Sequence, residues 1–227
     1  MIKGVIFDLD GVILDSMSIW EKLGKRYLRK CGIEAEPDLA RVIECMTMQQ
    51  SASYMIGHYK LNKSVTEVTE GFHELLLEFY KEEVPLKEGV KECLLFLEKN
   101  NIPCLIATSS ETQEAEAALK RLRIRNQFQD IVTCQELHTD KTKPEIYLEA
   151  ARRLSLIKEE ILVVEDSFHA VRTAVNAGFH VCAVYDRYNA HHEKETKELA
   201  EYYIESLKEI SMRKDIIVKT KRWDKNE

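Results

Sequence analysis

Residues 1–16 read MIKGVIFDLDGVILDS, an apolar run that passes directly into Asp8 and Asp10 and then Gly11. An apolar run favours burial and a carboxylate resists it, so the junction needs an explanation. The stretch Ile2–Phe7 is short and rich in β-branched residues, which predicts a buried strand. The same signal returns at Ile102–Ala107, Asp130–Cys134, Ile161–Glu165 and His180–Val184. Helical patterns lie between these runs. Val90–Asn100 carries Val90, Cys93, Leu94 and Leu97 at the spacing of one helix face. Thr112–Leu122, Pro144–Leu154 and Phe168–Ala177 follow later strands, and Gly178 suits a C-terminal cap. Strands alternating with helices of this size predict an α/β, Rossmann-like parallel sheet with helices on both faces.

The stretch after the first strand breaks that alternation. Trp20–Cys31, Leu39–Met46, Gln49–Tyr59 and the long amphipathic Val65–Glu82 read as helices with no strand between them. They predict an inserted helical-bundle cap domain over residues 16–87, with the α/β core formed by residues 1–15 and 88–227. The flanking linkers are Gly11–Ser16 and Val84–Gly89. After Val184 the pattern weakens to a short edge strand at Tyr202–Ile204 and a short helix at Ser206–Ile210. The last residues, with Lys219, Lys221, Arg222 and Lys225, read as a solvated basic tail.

The totals exclude several classes. The 227 residues are 44% hydrophobic and carry a net charge of -6, so nucleic acid is not expected as a partner. No apolar stretch is long enough to cross a bilayer, and no signal peptide precedes GVIFDLD. The six cysteines, Cys31, Cys45, Cys93, Cys104, Cys134 and Cys182, show no C-x-x-C spacing. They read as reduced thiols of a cytoplasmic protein, with Cys93, Cys104 and Cys182 in the core.

In an open parallel sheet, ligands bind beyond the carboxyl ends of the strands. The residues at those ends are Asp8 and Asp10, then Thr108, Ser109 and Ser110, then Glu165 and Asp166, with Lys141 just before the helix near Pro144. Four acids at one sheet edge repel one another, so a cation is expected, and all-oxygen ligands favour Mg²⁺ over zinc. Hydroxyls, backbone N–H groups and a lysine suit a phosphate. The junction at Asp8 then makes sense. The strand holds this carboxylate still at the sheet edge beside a metal, as a nucleophile should be held, and Gly11 turns the backbone away.

This set, DLDGV, a strand ending in Thr, K-x-x-P-E and a strand ending in Glu-Asp, resembles the haloacid dehalogenase superfamily. Within it the chain resembles the β-phosphoglucomutase-like phosphatases with a small helical cap, over essentially its whole length. The resemblance implies that Asp8 attacks phosphorus and that Asp10 protonates the leaving oxygen and later activates water. It implies that Thr108 and Lys141 hold the phosphoryl oxygens, with Ser109 offering its backbone N–H. Asp8, the main-chain carbonyl of Asp10, Asp166 and Glu165 are implied as Mg²⁺ ligands, with an outer position also open for Glu165. Thr108 is alternatively a cap of the following helix. Lys143 is read as solvated, His169 as a helix residue, and His191 and His192 as surface residues. The implied activity is hydrolysis of a small phosphorylated metabolite by a monomeric enzyme. Asp10 sets the chain apart from the superfamily's dehalogenases, which lack the second aspartate. A sugar-phosphate mutase is the alternative, and a non-catalytic binding protein on the same fold a further one. The resembling mutases carry a histidine and an arginine where this chain has Trp20 and Met48.

The cap loop reads ECMTMQQSAS over residues 44–53. Thr47 with Gln50 fits a capping box that starts a helix near Met48. Specificity is expected from Met46, Thr47, Met48 and Gln49 in this loop, together with Met17 and Trp20. The competing reading places Met46, Met48 and Trp20 in the core of the cap.

Overall fold

The computed structural model describes residues 1–43 and 46–217. The described chain divides into two compact units, one of residues 1–15 and 85–217, the other within residues 16–84. In chain order, β1 (Gly4–Phe7) is followed by α1 (Ser18–Lys30), α2 (Leu39–Ile43), α3 (Met48–Tyr59) and α4 (Val65–Glu82). Next come α5 (Val90–Lys99), β2 (Cys104–Thr108), α6 (Thr112–Arg121), β3 (Ile131–Thr133), α7 (Glu145–Leu154), β4 (Ile161–Glu165), α8 (Phe168–Asn176) and β5 (His180–Val184). The chain ends with α9 (Glu193–Leu199), β6 (Tyr202–Ile204), α10 (Lys208–Met212) and α11 (Lys214–Ile217).

The larger unit is built on a six-stranded sheet in the order β3-β2-β1-β4-β5-β6. Every pairing is parallel, and β1 registers Val5 against Cys104 of β2 and Leu162 of β4. Such a sheet is covered on both faces, which is why β1, β2 and β4 are buried along their whole length. On one face Ile6, Leu105, Val132, Val163 and Val181 pack against Ile146, Tyr147, Ala150 and Leu154 of α7 and Val171 and Ala174 of α8. The strand order reverses direction across β1 and β4, and this is where an open α/β sheet leaves a crevice at its carboxyl edge.

The smaller unit is helical. Its core joins Ile19, Leu23, Tyr27 and Leu28 of α1 to Val68, Phe72, Leu75, Leu76 and Phe79 of α4. Tyr27 meets Phe72 edge-on at 5.1 Å between ring centres. Both α3 and α4 start in capping boxes, Thr47 with Gln50 and Ser64 with Glu67, so two otherwise orphaned donors at each start are satisfied. Arg26 and Glu83 form a two-pronged ion pair, both contacts at 2.6 Å.

The structure departs from the sequence expectations in a few places. The second helix was expected to reach Met46 and ends at Ile43, with Glu44 and Cys45 outside the described residues. Residues 85–87 belong to the larger unit rather than to the insert. There Asp15 N donates to Pro85 O and Lys87 N to Ile13 O, so the two linkers run side by side. Beyond Val184, a 3-10 turn at Arg187–His192 and helix α9 occupy a stretch with no clear periodicity. Within α9 only Thr196 is buried, which explains the weak signal. The basic residues Lys219, Lys221, Arg222 and Lys225 lie outside the described residues.

Gly71 gives a test of the helical packing. A Cβ there would sit 2.3 Å from Cε2 of Tyr27, whose ring is buried against Phe72. Helix propensity alone would make alanine more stable by about 1 kcal/mol. Overpacking a held ring costs about 1–3 kcal/mol, so the clash wins. Gly71→Ala is expected to lower the urea midpoint without changing the slope, and a raised midpoint would overturn that ranking.

Candidate active site

Asp8 follows β1 directly, and its backbone N–H donates to the carbonyl of Val164 in β4 at 2.9 Å. The sheet ladder therefore fixes the Asp8 main chain. Gly11 turns the chain with φ +78°, and a Cβ on it would lie 2.2 Å from Asp166 Oδ2. Only glycine fits both the conformation and the approach of that carboxylate.

Lys141 reaches in from the loop before α7. Its Nζ lies 2.5 Å from Asp8 Oδ1 and 2.7 Å from Glu165 Oε1. Tyr147 of α7 donates its hydroxyl to the same Glu165 oxygen at 2.8 Å. Asn189 donates to Asp166 Oδ2 at 2.7 Å. Asp8, Glu165 and Asp166 each offer an oxygen within 4.8 Å of the others. Ser110 donates to Asp10 Oδ2, and the Ser110 N–H donates to Thr108 Oγ1 at 3.0 Å. Thr108 is fully buried, and its hydroxyl closes this turn. The N-cap of α6 is Glu111, so Thr108 is not a helix cap. Ser109 is exposed, with its Oγ 3.6 Å from Cys134 Sγ. Lys143 is exposed, as are His169 and His191, while His192 is half-buried against Phe168.

The electrostatics are those of crowded acids. Burial raises Asp8 well above the ordinary carboxylate range, and Glu165, Asp166 and Asp10 add to the rise while Lys141 opposes it. Burial first, then Glu165 and Asp186, push Asp166 up to about 7. Burial disfavours the Lys141 ammonium, but Asp8 and Glu165 hold its pKa above the ordinary lysine value. One lysine among four acids leaves negative charge uncompensated. Glu165 Oε2 is also buried with no hydrogen-bond partner. An all-oxygen donor set with an orphaned carboxylate oxygen fits a hard dication such as Mg²⁺.

Met17, Trp20, Met46, Thr47, Met48 and Gln49 all lie in the smaller unit. Trp20 is 44% exposed, Met17, Met46 and Met48 are half-buried, and Thr47 and Gln49 are exposed. Trp20 is therefore not a core residue, while Met46 and Met48 are only partly covered. Met46 and Gln49 line a shallow groove of about 480 Å³ with Gln50, Ser53 and Tyr54.

Sequence reasoning missed a second charged pair behind the site. Lys87 Nζ donates to the carbonyls of Gly11 at 2.6 Å and Tyr185 at 2.9 Å, and to Asp186 Oδ2 at 2.9 Å. Nothing local marks these residues, which are 99 positions apart. Tyr147 and Asn189 are not singled out by the sequence, and nothing local marks the Ser110 hydroxyl as a partner of Asp10.

A doubly wound sheet with acids, a lysine and hydroxyls gathered at its switch point defines a class of α/β proteins that work on anionic substrates at the carboxyl edge. The chain belongs to the haloacid dehalogenase-like hydrolase family, whose sequence profile matches residues 5–184. It is 29% identical over 176 residues to a phosphorylated carbohydrates phosphatase of Thermotoga maritima, covering 78% of this chain and 82% of that protein. It is 28% identical over 222 residues to hexitol phosphatase A of Escherichia coli (strain K12), covering 95% and 98%. A solved structure of a beta-phosphoglucomutase-like protein from Thermotoga maritima superposes with a TM-score of 0.84 at 26% identity, covering 96% of this chain and 100% of that one. Among the described residues, no helix is long and apolar enough to cross a membrane.

The Lys87–Asp186 pair is open to a direct test. Their side chains are only 16% and 5% exposed. Lys87→Met keeps most of the stem but leaves Asp186 buried without its cation, which costs about 3 kcal/mol or more. Chemical denaturation should show that loss, and a change under about 1 kcal/mol would mean water replaces the ammonium.

Proposed function

We propose that the chain is a Mg²⁺-dependent phosphatase that hydrolyses a small-molecule phosphate monoester through a phosphorylated Asp8. The observation that supports this most is Lys141 bridging Asp8 Oδ1 at 2.5 Å and Glu165 Oε1 at 2.7 Å. An ammonium on the attacking carboxylate opposes the rise that burial imposes on it and offsets the charge of an incoming phosphate. In the first step an Asp8 oxygen bonds to phosphorus as the ester P–O bond breaks, and Asp10 gives its proton to the leaving alcohol oxygen. In the second step water gives a proton to Asp10 and attacks phosphorus, and the bond from Asp8 to phosphorus breaks to release phosphate. Ser110 orients Asp10 through its hydroxyl. Thr108, the Ser109 N–H and Lys141 receive the phosphoryl oxygens. Mg²⁺ held by Asp8, the Asp10 carbonyl, Asp166 and Glu165 would supply further charge neutralisation.

The alternative, a sugar-phosphate mutase, draws on the similarity to that beta-phosphoglucomutase-like structure. Met48 in place of an arginine favours hydrolysis, because a second phosphate would lack that partner. We assign choice of leaving group to the helical insert, chiefly to residues 46–49 with Met17 and Trp20.

An aryl phosphate assay with and without EDTA tests the reading. Asp8→Asn keeps the shape and removes the nucleophile, so turnover should fall at least about 10³-fold. In the same assay Asp10→Asn should lose more activity on an alkyl phosphate than on the activated aryl ester, which needs less protonation. Full activity in EDTA, or in Asp8→Asn, would sink the proposal.

Specificity has its own measurement. Met48→Arg adds a charged donor worth about 1.5 kcal/mol, or roughly tenfold, to a second phosphate. The ratio of kcat/KM for bisphosphorylated over monophosphorylated sugars should rise by that factor. An unchanged ratio would remove Met48 from substrate selection.

A further inference from the structure

Tyr147 is fully buried within the apolar core between α7 and the sheet. Its hydroxyl nevertheless has a defined partner, Glu165 Oε1, at 2.8 Å. Lys141 donates to that same oxygen at 2.7 Å. The two oxygens of Glu165 are therefore unequal. Oε1 takes two donors, while Oε2 is buried with no partner. A buried carboxylate oxygen left without a donor is costly, so Oε2 points to a ligand that the protein side chains do not supply. Glu165 is also one of the three acids whose oxygens cluster within 4.8 Å.

Building on the metal-dependent reading above, we propose that the Tyr147 hydroxyl is a positioning group that sets metal selectivity. By holding Glu165 Oε1 together with Lys141, it leaves Glu165 a single oxygen, Oε2, for a cation. That restriction favours Mg²⁺ over Ca²⁺. Mg²⁺ demands near-octahedral geometry and is bound through few carboxylates, whereas Ca²⁺ takes more oxygens and accepts two from one carboxylate. Lys141 alone is a weaker clamp, because it is shared with Asp8 at 2.5 Å. Tyr147 also comes from a different element than either acid, so its grip does not depend on the sheet edge. The competing explanation is that a buried tyrosine simply needs an acceptor for its hydroxyl. On that account removing the hydroxyl would affect stability and would treat both ions alike.

Calorimetric titration of the full chain, stripped with EDTA, separates the two. MgCl₂ and CaCl₂ are titrated separately into wild type and Tyr147→Phe, which keeps the ring and its packing. Wild type should prefer Mg²⁺. The variant should weaken Mg²⁺ binding about tenfold, the scale of losing an outer support of a metal ligand. Ca²⁺ binding should hold or tighten, so the ratio of the two dissociation constants moves about tenfold toward Ca²⁺. Metal-free melting of the variant within a few degrees of wild type establishes that it folds. An unchanged ratio overturns the proposal, whether both ions weaken equally or neither does. A wild type that prefers Ca²⁺ overturns it without any variant. Binding is read without substrate, so a failure of the phosphatase reading shows separately as Mg²⁺ binding with no hydrolysis. A wild type that binds neither ion overturns both.

Discussion

The carboxylates gathered past β1 and β4 are the constraint around which the larger unit is arranged. A parallel sheet buries its strands on both faces, so its carboxyl edge at the switch point is a low-dielectric mouth rather than open water. Asp8, Glu165 and Asp166 are all buried there. Their repulsion and desolvation appear as raised pKa values at Asp8 and Asp166. Lys141 is the ammonium that bonds two of these acids directly. Single charges so placed are expensive, and the network holds only because each carboxylate has a donor fixed by another element. Lys141 and Tyr147 serve Glu165, Asn189 serves Asp166, and Ser110 serves Asp10.

The same logic extends one layer outward. Lys87 sits where the second linker rejoins the larger unit and binds the Gly11 carbonyl, in the turn immediately after Asp8 and Asp10. Its counterion Asp186 lies at the end of β5 and contributes to the rise of Asp166. The linker, the Gly11 turn and the acid cluster are thus tied by one ammonium. This explains why the chain leaves and re-enters the unit at neighbouring points, with residues 13–15 paired to 85–87.

The chain belongs to the haloacid dehalogenase-like hydrolases, and a hexitol phosphatase matches it over 95% of its length. The finer distinctions rest on particular side chains. In the proposed reaction Asp10 would supply the proton that an alkoxide leaving group needs. In the same proposal Met48 stands where a mutase would need a second-phosphate contact. Tyr147 and Lys141 both donate to Glu165 Oε1 and leave Oε2 without a protein donor.

Much of this was legible in the sequence because the signals are local. The bounds of α4, β4 and β5 match the residues read from the periodicity, and the Thr47–Gln50 capping box starts α3 at Met48. Such features depend on residues within a turn or two of one another. The strand ends also named the acids, because apolar runs stop where charge begins. The tertiary structure alone decided which ends became neighbours. Placing β1 between β2 and β4 brings Ser110 to Asp10 across 100 residues and Lys141 to Glu165 across 24. It also decided that Trp20 stays exposed and that Lys87 finds Asp186. Pairing of distant strands is set by the whole sheet's burial, and no residue pattern within one segment carries that information.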